Sequence, residues 1–554
     1  MILRLGKPIR ADRLLLAISV FIWIGLVVTR SEIQEDAYIT FRVVKNFVDG
    51  GGLRWNLYER VQTYTNPLWM MLHIPFAFFT DDPFIVTIFL GTICSAFSVW
   101  FLLHSSDSSP LCKTLFIMLP LCGLRAVIFY SNSGLENSLN YLFTAIFSYT
   151  LAIKPAHKTL CRDCTLIIAL ASVNRLDMSL LLAPPFLLML LLKKIPFSFS
   201  QAVEGSIPLA AWLEFATFYY GSPLPNSYFA KLPASSQPLY LWWSGLRCLD
   251  LYFRNDPVGF GVLMLPIPIA VRSLWRYLES QSRLDSACFS IAIGSFIYCV
   301  YIISIGGDYL MGRFWTVPTF AAMACLALSL QGTWKELRKL IYALAGYTAC
   351  ILSAAYALFV LSNDRLQQLA HGHYPEYGLI WSWVPFNDTE KNVLLDSYWH
   401  LHLETNHNMI LFKNIKAGYA DTSPIIWDAI GLSGYFGNPN TIRIDPVGIG
   451  DAFLARLPAT SIAIGHMGRD IPKGYVHAVR TGSTDEMDPD LAKYYKALRL
   501  IISGPLFSVE RLKTLGRFQL GYYDRYLNAY LAGQNRAPPP TSPVGERTGH
   551  DPAK

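Results

Sequence analysis

Long apolar runs broken by short polar stretches fill the first two thirds of the chain. They cover Leu14 to Val28, Phe84 to Leu103, Leu111 to Tyr130, Leu139 to Ile153, Leu160 to Val173 and Ser179 to Leu192. Further runs cover Gln201 to Tyr220, Val258 to Val271, Ala287 to Ile305, Trp315 to Gln331 and Leu340 to Leu361. A lone helix needs roughly 20 apolar residues to cross about 30 Å of hydrocarbon. The pattern therefore predicts about eleven spanning helices, the shorter ones tilted, re-entrant or enclosed by the others. Pro67 to Phe79 is apolar but shorter, and reads as a helix lying at the interface.

Composition supports a membrane chain. Of 554 residues, 53% are hydrophobic and only 15% charged, with mean hydropathy +0.32, whereas soluble domains are about a quarter charged. The net charge of +7 comes from small clusters between apolar runs, which speaks for topology signals and against nucleic acid as a partner. Arg4, Lys7, Arg10 and Arg13 precede the first run, and no small-residue cleavage site follows it, so an uncleaved first span with a cytoplasmic N-terminus is expected. Threading eleven spans places Lys154, Lys158, Arg162, Lys193, Lys194, Arg272, Arg276, Arg283, Lys335, Arg338 and Lys339 inside. Glu35, Asp36, Asp81, Asp82, Glu136, Asp177, Asp250, Asp256 and Asp308 fall outside.

After Leu361 the apolar runs stop. Short alternations at Thr441 to Ile444 and Ala459 to Ile464 predict strands, and Pro489 to Leu500 predicts a helix. The expected organisation is a polytopic α-helical membrane domain over 1–361, an extracytoplasmic α/β domain over 362–535, and a disordered Pro-rich tail over 536–554. Most of the ten cysteines lie in or beside apolar runs, so no disulfide framework is implied. Cys161 and Cys164 form a CxxC without a second pair or nearby His, and read as small apolar residues at a helix start. Asn387-Asp388-Thr389 matches a glycosylation acceptor.

The outside ends of the runs are rich in polar groups, which lipid contact would disfavour unless they cluster. They include Glu35, Asp36, Arg42, Asn66, His73, Glu136, Arg175, Asp177, Asn226, Lys231, Asp308 and Arg313. Singly, each has a plainer reading: Asn226 and Asp177 as helix caps, Arg175 and Asp177 as a local ion pair, His73 as a satisfied interface residue. Together they suit group transfer from a lipid phosphate. A carboxylate can take a proton from an acceptor hydroxyl, while Arg175, Arg313, Arg42 or Lys231 hold the phosphate.

The motifs EDAYITFR (35–42), ERVQTYTNPLW (59–69), SGLEN (133–137), NRLD (174–177), SPLPNSYFAK (222–231), GGDYLMGRF (306–314), WDAIGLSGYF with RIDPVGIGDAFLAR (427–456) and GHMGRDIPKGY (465–475) occur in this order. In that order they resemble the GT-C class of membrane glycosyltransferases, most closely the AftB-type terminal arabinofuranosyltransferase family. The resemblance implies a GT-C-like fold, an outward-facing site, a polyprenyl-phosphate sugar donor and an outside domain that holds a glycan or glycolipid acceptor. It also implies Asp36 as the catalytic carboxylate, with Glu35 second. Many relatives have Asp-Asp where this chain has Glu35-Asp36, and Arg-Pro-Glu or Arg-Pro-Asp where it has Arg175-Leu176-Asp177. The division of labour in the pair and the donor sugar stay open.

Two other classes compete with this reading. A non-enzymatic assembly factor of the envelope or flagellar motor would not need the acidic pair. A lipid transporter fits less well, because no internal repeat is evident and the polar groups favour one face. Glu35, Asp36 and Asp308 offer oxygen ligands for Mg²⁺ or Mn²⁺, but without diagnostic spacing.

Overall fold

The computed structural model describes residues 11–155, 158–231, 238–308, 310, 312–330, 424–426, 430–460, 465 and 467–534. The expected span at 340–361, the acceptor motif at Asn387, most of the strand expected at 459–464 and the tail at 536–554 lie outside these. The described chain is mostly helical and divides into two compact units, Met1–Asp470 and Ile471–Lys554.

In the first unit the apolar runs become helices close to the expected bounds: α1 (Ala11–Thr29), α4 (Pro83–His104), α8 (Asn137–Ala152), α9 (Leu160–Asn174), α10 (Met178–Leu191), α11 (Phe199–Tyr220), α16 (Arg283–Ser304) and α17 (Thr316–Ser329). Asp82 caps α4, its side chain accepting from the Phe84 N–H at 2.9 Å, with Pro83 at the first helical position, a combination that satisfies one orphan donor and loses none. Among the described residues, four helices are long and apolar enough to cross a membrane: Ala11–Thr29, Pro83–His104, Pro257–Ser280 and Arg283–Ser304. The bent pair Pro110–Gly123 and Arg125–Ser131 adds a fifth candidate if it is counted as one span. The architecture is compatible with a helical membrane protein, with four or five full-length crossings where the hydropathy pattern suggests about eleven.

The difference has physical causes. The 111–130 run folds as a broken helix with a 73° bend. It contains a π turn at Thr114–Met118, Pro120 without an amide hydrogen, and Leu124 in a non-helical conformation, all recognised sources of kinks. Helix α17 has 14 residues, all of them buried, as expected for a helix apolar on every side and enclosed by its neighbours. Around it pack α8, α14 (Pro257–Met264) and α16, and Tyr141 of α8 stacks on Phe320 at 5.0 Å. Outward faces stay apolar, with Phe21 on α1 and Phe97 on α4 exposed.

Three elements were not among the expected ones. Glu35 and Asp36 open a helix, α2 (Glu35–Val48), instead of sitting on a loop. Its N-terminus suits acidic residues, whose charge opposes the helix dipole. Residues Pro238–Asn255 form α13, and Asn226–Lys231 form the short α12. Pro67 to Phe79, expected as an interfacial helix, is helical over Pro67–Ala77 (α3).

The C-terminal part also differs from an α/β domain among the described residues. Strands β1 (Ile425–Ile426) and β2 (Arg443–Ile444) pair in parallel over two residues each, and both belong to the first unit. Helix α18 (Ile430–Phe436) packs on α2. The second unit is helical: Tyr475–Thr481, Pro489–Ser503, Val509–Gln519 and Asp524–Gln534. The helix expected at 489–500 is present.

Candidate active site

The SGLEN turn fixes the first functional side chain. Gly134 has φ +81, and a Cβ there would meet the Ala37 Cβ at 2.6 Å, so only glycine lets the turn lie against α2. The Gln34 N–H donates to the Ser133 carbonyl at 2.9 Å, and Trp69 Nε1 donates to the Gly134 carbonyl at 2.9 Å. Glu136, next to the first turn of α8, is thereby held fully buried.

Two arginines and an amide satisfy that carboxylate. Glu136 Oε1 accepts from Arg175 Nη1 at 2.8 Å and Arg313 Nη2 at 3.2 Å, and Oε2 accepts from Asn66 Nδ2 at 2.8 Å. Asn66 in turn accepts from the Thr40 hydroxyl of α2 at 3.1 Å. Burial raises the Glu136 pKa, but Arg313 and Arg175 outweigh it and hold the carboxyl at about 2, because a buried charge survives only when paired and hydrogen-bonded.

Both guanidinium groups reach further. Arg175 forks onto Asp177, Nε to Oδ1 at 2.9 Å and Nη2 to Oδ2 at 2.6 Å, and Tyr298 donates to Asp177 Oδ2 at 3.3 Å. Arg313 Nη1 lies 3.4 Å from Asp36 Oδ2. Phe314 lies beneath both, its ring 4.7 Å from Arg175 Cζ and 5.6 Å from Arg313 Cζ. Burial works against the charge of each arginine, yet Asp177 and Glu136 for Arg175, and Glu136 and Asp308 for Arg313, raise both above the usual value.

Asp308 completes the cluster. It is buried, and among the described residues its Oδ2 has no hydrogen-bond partner; the same holds for Arg313 Nε. Burial pushes the Asp308 carboxyl up, Arg313 and Lys231 pull it back, and Asp36 raises it again. Arg175 and Arg313 thus pair with Asp36, Glu136 and Asp177, and the charges of Arg313 and Lys231 act on Asp308.

Glu35 faces elsewhere. Its Oε1 accepts from the Gly431 N–H at 2.6 Å and the Leu432 N–H at 3.1 Å at the start of α18. A Cβ on Gly431 would lie 2.1 Å from the Glu35 carbonyl oxygen, so this approach needs glycine. Burial and the neighbouring Asp36 push Glu35 up to about 7 against the two amide bonds. Adjacent acidic residues thus point to different partners.

Arg42, expected to hold phosphate, is a structural clamp in this fold. Its Nε donates to the Trp55 carbonyl at 2.6 Å, Nη1 to the Gly434 carbonyl, and Nη2 to the Pro439 carbonyl at 3.4 Å, with Trp55 stacked at 4.6 Å. Burial lowers it to about 9. Asn226 likewise bonds to the Gly448 and Ile449 carbonyls, at 2.6 and 3.1 Å, and joins α12 to the 443–456 motif instead of the carboxylate cluster. His73 is buried between Phe41 and Trp69, donates from Nδ1 to the Trp69 carbonyl at 2.9 Å, and is held neutral by burial, at about 4. Its plainer reading as a satisfied interface residue fits.

Thr40 and Asn174 fall inside the EDAYITFR and NRLD motifs without a role assigned from the sequence, and Tyr298 and Asn140 carry no signal of their own. Asn174 and Asn140, linked at 2.7 Å, tie α9 to α8 directly behind Glu136. Asp445 and Asp451 are buried turn-formers, each accepting two backbone N–H bonds. Among the described residues no group of three or more His, Cys, Asp or Glu side chains is placed to hold a metal ion.

Comparison with known proteins returns no match to this chain among family models, curated proteins or solved structures.

Proposed function

We propose that this chain is an integral-membrane glycosyltransferase that moves a sugar from a polyprenyl-phosphate donor to an extracytoplasmic glycan or glycolipid acceptor. The observation that carries the reading is Arg313 lying 3.4 Å from Asp36 and 3.2 Å from buried Glu136. A cation fixed by a permanent internal anion, beside a second carboxylate, suits a transfer in which phosphate charge grows as a hydroxyl loses its proton. Arg313 Nε, which has no hydrogen-bond partner among the described residues, supports a role toward an anionic ligand, with Lys231 as a further point charge.

The acceptor hydroxyl gives its proton to Asp36 as its oxygen bonds to the anomeric carbon. The bond from that carbon to the phosphate oxygen breaks, and polyprenyl phosphate leaves with the electron pair. Arg313 and Lys231 stabilise that charge, and Glu136 and Arg175 keep Arg313 in place. The resemblance to the AftB-type family supports a pentofuranose, arabinofuranose in particular, as the transferred group. With the shorter apolar helices counted as crossings, the positive-inside pattern supports about eleven spans, a cytoplasmic N-terminus and a site on the outer face of a bacterial cytoplasmic membrane.

The test is transfer by purified protein in lipid nanodiscs, supplied with polyprenyl-phosphate pentose and an oligosaccharide acceptor and read by mass spectrometry. Asp36→Asn should lose transfer while inserting normally. A fully active Asp36→Asn, Glu35→Gln double variant would overturn the assigned mechanism.

A further inference from the structure

The second unit carries an amphipathic helix whose apolar stripe faces outward. On Val509–Gln519, residues three and four apart share a face, which puts Val509, Leu512, Gly516 and the following Leu520 in one line. Val509 is 65%, Leu512 40% and Leu520 87% exposed, and nothing lies within 4 Å of a Cβ built on Gly516. The opposite face is fixed inward: Arg511 is fully buried, donating from Nε to the Ile501 carbonyl at 2.8 Å and from Nη1 to the Leu506 carbonyl at 3.0 Å, with Thr514 and Leu515 buried beside it.

Cations edge the stripe. Lys513 and Arg517, one turn apart and exposed, flank it on one side. Arg517 lies 5.6 Å from the Tyr522 ring, and Arg525 lies 4.1 Å from the same ring and donates to its hydroxyl at 2.6 Å. An apolar line beside Lys, Arg and Tyr is the arrangement of helices that lie in a membrane interface. Residues 471–534 hold nine Lys and Arg against six Asp and Glu, a net charge of +3, which complements anionic headgroups. The chain is continuous with helices of membrane-spanning length, so a bilayer is within covalent reach.

We propose that the Val509–Leu520 stripe docks the C-terminal unit on an anionic phospholipid surface, with Lys513 and Arg517 at the headgroups. This stands independently of the glycosyltransferase reading.

The test is hydrogen–deuterium exchange of the full chain in nanodiscs of phosphatidylcholine, alone or with roughly a third replaced by phosphatidylglycerol. Each basic residue near an anionic surface multiplies occupancy by about fivefold, so amides of 505–522 should exchange at least about fivefold more slowly in the anionic discs. Val509→Ser with Leu520→Ser should abolish the difference. Both positions are exposed, so exchange in Pro489–Ser503 should stay unchanged and report an intact fold. Equal exchange in the two lipids would overturn the proposal, as would protection that persists in detergent, which assigns the stripe to the rest of the chain. Protection that grows with protein concentration would assign it to a second copy, and would overturn it too.

Discussion

Asp36 and Glu136 share one guanidinium: Arg313 reaches Asp36 Oδ2 at 3.4 Å through Nη1 and Glu136 Oε1 at 3.2 Å through Nη2. Glu136 is sealed and doubly paired with arginine, while Asp36 is partly accessible and sits on the first turn of α2. The buried carboxylate anchors the cation, and in the proposed reaction the accessible one takes the proton.

Asp36→Asn should therefore reduce transfer by about 10²- to 10⁴-fold, the usual worth of a general base, with little change in thermal stability. Turnover with a polyprenyl-phosphate sugar, beside a melting curve in the same nanodiscs, checks both halves.

Glu136→Gln should act mainly on stability. It leaves Arg175 and Arg313 with one anionic partner fewer, and breaking a buried pair costs about 3–5 kcal/mol. Chemical denaturation should show a loss of that order, and a stable variant with normal melting would contradict the anchoring role.

Arg42→Met distinguishes a clamp from a phosphate ligand. Losing its bonds strands the Gly434 carbonyl, at a cost of about 1–3 kcal/mol when buried, while the Trp55 carbonyl keeps Asn46 Nδ2 at 3.1 Å. Proteolysis within 430–456 should accelerate, and donor KM should change little in the folded fraction. A selective rise in donor KM without loosening would restore the phosphate role.

Stability should fall as pH rises toward neutrality. Burial pushes both Glu35 and Asp445 up to about 7, so the folded chain keeps protons that the unfolded chain has already released. The stabilisation is complete below the ordinary carboxylate range and is lost as pH climbs through about 7. Both groups lie at the junction of α2 with the 430–456 segment. Denaturation midpoints between pH 5 and 8 should decline, and Glu35→Gln should flatten part of that slope. An unchanged slope would show that Glu35 titrates normally.

Much of this was legible in the chain. Continuous apolar runs bounded by Pro, Asp and Gly gave helices within a few residues of their limits, because hydrophobic length and capping chemistry act locally. Arg175 with Asp177, two residues apart, needed no fold to meet. Arg42 looked equally suited to phosphate, and only packing brought the carbonyls of Trp55, Gly434 and Pro439 onto it. Glu35 and Asp36 are neighbours in sequence, yet consecutive helical residues point about 100° apart, so one meets Gly431 and the other Arg313. Residue types and membrane character were thus set by the sequence alone. Which charges are anchored and which are clamped was decided by tertiary structure, since partners 70 to 396 positions away fix how each group is paired and desolvated.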